Sequence, residues 1–138
     1  MKITKALLAD YANITREGKL NVLGIFQTIG AITFPVRHPQ MQLIFMWSAD
    51  PTEAGRDRQI EIQMCDADGK KILGLTGPFK VPPPPQPGKM VEGNEILNLN
   101  GLVFEKAGAY KFNILVDNDL EGEASFDVVL VTPPPAGG

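Results

Sequence analysis

Apolar and polar residues alternate with a period of two along much of the chain. In Arg58 to Met64, Ile60, Ile62 and Met64 alternate with Gln59, Glu61 and Gln63. Tyr110, Phe112, Ile114 and Val116 hold the same spacing, as do Phe126, Val128 and Leu130. Successive side chains of a strand point to opposite faces, so this alternation predicts strands with one buried face. No stretch sustains the 3.6-residue stripe of a helix. Turn-forming clusters separate the runs at Thr15 to Gly18, Asp66 to Gly69, Lys106 to Gly108 and Asp117 to Gly122. The pattern places eight strands: 4–14, 19–29, 41–48, 58–65, 71–81, 94–104, 109–116 and 123–131. Many short strands with regular turns give an all-β sandwich or barrel.

One corner narrows the choice. In Phe104-Glu-Lys-Ala-Gly-Ala-Tyr110 a Gly permits a tight turn, and two residues on a Tyr opens the next strand. That is the pattern of a tyrosine corner, in which the hydroxyl bonds back to the turn. An ordinary hairpin turn is the alternative. The expected fold is an immunoglobulin-like antiparallel β-sandwich of about eight strands. The cysteine pair of antibody domains is absent, and Trp47 is the only tryptophan.

Residues Lys80 to Lys89 read KVPPPPQPGK and interrupt the strand pattern. Five predicted strands precede this stretch and three follow it, and three strands bury little area alone. The expected organisation is therefore one sandwich over residues 1–132, with a proline-rich crossover at 82–88 and a flexible tail at 133–138. Six residues in polyproline geometry span about 18 Å, and packed sheets lie about 10 Å apart. The stretch is long enough to cross from one sheet to the other. Pro84-Pro-Gln-Pro87-Gly-Lys89 also matches a PxxPx+ ligand pattern, which is short and common by chance.

Some strands are apolar on both faces. Leu20, Val22 and Phe26 alternate with Leu23, Ile25 and Ile29; Ile44 and Met46 lie opposite Leu43, Phe45 and Trp47. Leu115, Val129 and Val131 have outward parity on the last two strands. A second apolar face must be covered, by the proline loop, by residues 31–40 or by another subunit. Ile44, Met46, Leu115 and Val129 are the interface candidates, in a homo-oligomer or with a protein partner.

The 138 residues are 43% hydrophobic and 21% charged, with a net charge of -3. That composition is ordinary for a globular domain and gives no basic surface for nucleic acid. The N-terminus lacks the long apolar region of a signal peptide, and nothing approaches the roughly 20 apolar residues of a membrane helix. The expected location is cytoplasmic, with no membrane partner. One cysteine excludes an internal disulfide.

Candidate chemistry is sparse. His38 is the only histidine and Cys65 the only cysteine, so they form the only Cys/His dyad available, and no third group is oriented on it. Ser48 and Ser125 lie in strands, not on a strained turn. One His and one Cys do not make a structural zinc site. The acidic residues Asp50 and Glu53 in one loop, and Asp117, Asp119 and Glu121 in another, would meet at one end of the sandwich if strands alternate up and down. The second loop echoes D-x-D-x-D-G, but Val128 stands where a calcium loop needs its Glu. Arg56 and Arg58 would oppose a cation, and Asp, Asn and Gly are what a turn itself requires. No phosphate loop is present, and no cofactor is expected.

The segments LLADYAN (7–13), GKLNVLGIF (18–26), HPQM (38–41), GPFKVP (77–82) and YKFNILVD (110–117) together resemble a family of small, uncharacterised bacterial β-sandwich proteins. The resemblance implies a stand-alone, intracellular sandwich with no assigned activity and no functional residue to carry over. The residues point first to a non-enzymatic domain acting through protein contacts. The alternative is a small-ligand or calcium-binding module using the acidic loops.

Overall fold

The structure is a computed structural model and describes residues 1–133. Eleven strands form: β1 (Lys2–Ile14), β2 (Leu20–Phe26), β3 (Thr28–Ala31), β4 (Val36–His38), β5 (Gln42–Ala49), β6 (Asp57–Cys65), β7 (Lys71–Lys80), β8 (Val91–Asn98), β9 (Leu102–Phe104), β10 (Gly108–Val116) and β11 (Asp119–Leu130). A single 3-10 turn, Pro51–Glu53, is the one helical element among the described residues. The strands make a four-stranded sheet, β2-β1-β5-β8, a five-stranded sheet, β3-β11-β10-β6-β7, and a two-stranded ladder, β4-β9.

The alternation seen in the sequence builds the core between the two large sheets. Leu43, Phe45 and Trp47 of β5 face Ile62 and Met64 of β6, with Phe112, Ile114, Phe126 and Val128 filling the middle. All are buried. Tyr110, Phe112 and Phe126 stack in a row with centroids 5.6 and 5.5 Å apart, and Phe104 meets Phe126 edge-on. The fold is a β-sandwich, as the period of two predicts.

Three details differ from the sequence expectation. The run 19–29 divides at Gln27, so β2 ends one sheet and β3 begins the other. The run 94–104 divides at the Asn100-Gly101 turn, where Gly101 has φ +82°. Finally, β3 pairs with β11 in parallel, so the sandwich is not wholly antiparallel. That pairing follows from the first detail, because the chain changes sheet without reversing direction.

The proline stretch joins β7, an edge of the five-stranded sheet, to β8, an edge of the other. Strands from both sides of residues 82–88 share each sheet: β8 pairs with β5, and β10 with β6. Gly88 (φ +77°) closes a turn in which Lys89 N–H bonds to the Gln86 carbonyl at 3.1 Å. A turn at Pro87-Gly88 takes Lys89 off the polyproline path that a PxxPx+ ligand requires. The tail expected at 133–138 lies, beyond Pro133, outside the described residues.

The tyrosine corner forms: the Tyr110 hydroxyl donates to the Lys106 carbonyl at 2.6 Å. Burial raises the Tyr110 pKa above its ordinary value. Tyr110→Phe leaves that carbonyl without its partner and keeps the ring packing. It is expected to cost about 1–2 kcal/mol in urea unfolding; no change in midpoint would show that the bond contributes nothing.

Candidate functional site

The loop after β5 and the β10–β11 hairpin do meet at one end of the sandwich, and an arginine joins them. Arg58 is the second residue of β6 and shares the inward parity of Ile60 and Ile62. Its guanidinium therefore sits at the mouth of the core. One terminal nitrogen donates to Asp117 Oδ2 at 2.8 Å and the other donates to Glu53 Oε1. The same Glu53 oxygen receives the Met1 α-ammonium at 2.6 Å. Glu53 Oε2 accepts the Asp50 N–H at 2.8 Å, and Asp50 caps the 3-10 turn through Thr52.

The electrostatics follow from those donors. Glu53 is held down to about 2, chiefly by the hydrogen bond from the Met1 ammonium, against a smaller opposing effect of burial. The Gln59 N–H, and then Arg58, lower Asp117. Asp50 is lowered first by the Thr52 N–H. Arg58 is raised, first by Asp117. Asp117 (φ +49°) and Asn118 (φ +71°) form the two-residue turn of the hairpin, whose left-handed pair suits Asp and Asn. Asp119 and Glu121 lie exposed on the hairpin strand beyond it.

The sequence thus brings the right loops together, but Asp50, Glu53 and Asp117 are already engaged, while Asp119 and Glu121 point to solvent. No group of three or more His, Cys, Asp or Glu side chains is arranged for a metal ion among the described residues. An ion entering between Glu53 and Asp117 would have to displace Arg58, and a cation already occupies that position. Millimolar calcium is accordingly expected to leave the melting midpoint unchanged. A rise of several degrees would mean that an ion binds the folded chain.

The interface candidates divide. Ile44 is fully buried beneath Ala9 and Ala12, with Leu20 and Val22 packed beside them, so it is not available to a partner. Its cover is the outer half of the β1–β2 hairpin, neither the proline loop nor residues 31–40. The Gln42 side chain ties that arm down by accepting the Ala12 N–H at 2.6 Å. Met46 and Leu115 are half-buried. Val129 is 36% exposed beside Leu130 at 64%.

His38 and Cys65 sit in different sheets. The His38 ring lies against Phe26 with Nε2 enclosed and unpaired, and Cys65 accepts a long contact from Asn113. No hydrogen bond joins the two among the described residues. A cleft of about 430 Å³ lies between the Asp66–Gly69 turn and the tyrosine corner. Its Lys70, Lys71 and Lys106 are balanced by Asp66, Asp68 and Glu105, so it presents no net charge to select a ligand.

Sequence reasoning missed the lateral edges as candidate surfaces. On β2, Leu23 and Ile25 are 63% and 61% exposed, and Tyr11, paired with Leu23, is 42% exposed. The signal was present: GKLNVLGIF has apolar residues on both parities, of which only one set is needed inside.

No helix among the described residues is long and apolar enough to cross a membrane. No curated protein matches the chain. Among solved structures, a Pseudomonas fluorescens alkylpurine DNA glycosylase, AlkC, bound to DNA containing an abasic site analog, shares 13% identity at a TM-score of 0.47. The match covers 75% of this chain and 27% of that one. The chain therefore spans about a quarter of that enzyme's length, and a likeness at this level carries no functional argument. Residues 4–129 match a family of unknown function, DUF6941, and with nearly all of its sandwich inside that match the chain belongs to this family.

Proposed function

We propose that this chain is a non-enzymatic β-sandwich that works through protein–protein contacts. The observation that carries the proposal is the exposure of Leu23 and Ile25 on edge strand β2 and of Tyr11, the cross-strand partner of Leu23, three large apolar side chains left open to solvent. Contiguous exposed apolar surface on a globular protein marks interaction sites. The candidate chemical groups support the same reading: Glu53 and Asp117 are paired with Arg58 and the Met1 ammonium, and His38 and Cys65 belong to different sheets.

Two measurements test it together. Light scattering across concentrations reports self-association. Retention of host-cell proteins on the immobilised chain, compared with a chain carrying Leu23→Lys and Ile25→Lys, reports partners. A strict monomer that retains nothing beyond what the double variant retains would sink the proposal.

A further inference from the structure

We draw no further inference here: the strongest candidate, the exposed apolar side chains Tyr11, Leu23 and Ile25 on the β1–β2 hairpin, already carries the protein-contact reading, and nothing in the structure shows what covers it.

Discussion

Phe126→Ala is expected to lower stability by about 3–5 kcal/mol. The ring is 2% exposed and belongs to the aromatic row between the sheets. It stacks on Tyr110 and Phe112 at interplanar angles of 22° and 17°, and receives Phe104 at 77°. Truncation removes the transfer free energy of the ring and opens a cavity that three neighbouring aromatics, fixed by their own strands, fill poorly. It also forfeits the ring–ring contacts, each worth about 0.5–1.5 kcal/mol beyond area. For a chain of this size the melting midpoint is expected to fall by about 10–15 °C. Leu130→Ala, on the same strand but 64% exposed, serves as the comparison and is expected to stay within about 0.5 kcal/mol of wild type. Equal losses for the two variants would mean that the core does not sit between these sheets.

The aromatic row is also where the sequence was most legible. Tyr110, Phe112 and Phe126 were placed inward by parity alone, and the corner at Gly108 was visible from residue types. What the alternation could not show was where the chain changes sheet. Phe26 and Ile29 both face the core, yet β2 and β3 belong to opposite sheets. Both sheets draw apolar residues into one interior, so a crossing leaves the pattern almost intact. Strand β4 was missed for a different reason: three residues between two prolines are too few for a period to register.

The fate of Ile44 turned on the β1–β2 arm, whose Ala12 and Val22 pack with it. Gly24, left-handed at φ +70°, lies within that arm. Glycine in a strand hints at a bend but does not give its direction. At the acidic end the signal was present and misweighted. Arg58 shares the parity of Ile60, Ile62 and Met64, and an arginine with inward parity at a strand's mouth needs carboxylates near it. The two acidic loops are those carboxylates.

Glu53→Gln is expected to cost about 2–3 kcal/mol at neutral pH and to flatten the acid limb of the stability curve. Glu53 is 13% exposed and binds three donors: the Met1 ammonium, Arg58 and the Asp50 N–H. Glutamine keeps the shape but leaves the Met1 ammonium without a counter-charge and Arg58 with Asp117 alone, which is the costly way to break such a network. The pH dependence has a definite sign. The carboxyl titrates near 4.5 when free and at about 2 in the folded chain. Its contribution is complete above about pH 4.5, declines as pH falls through that interval, and is gone below about 2. A displacement of that size corresponds to at most about 3 kcal/mol. The stability gap between wild type and Glu53→Gln should therefore hold steady from about pH 7 to 5 and close towards about pH 2. Asp50 and Asp117, lowered by their own donors, give both proteins a residual acid slope of the same sign. Urea unfolding at about pH 7, 5 and 3 resolves the difference. A gap as wide at the lowest of these as at neutrality would show that the Glu53 charge does not hold this end of the sandwich together.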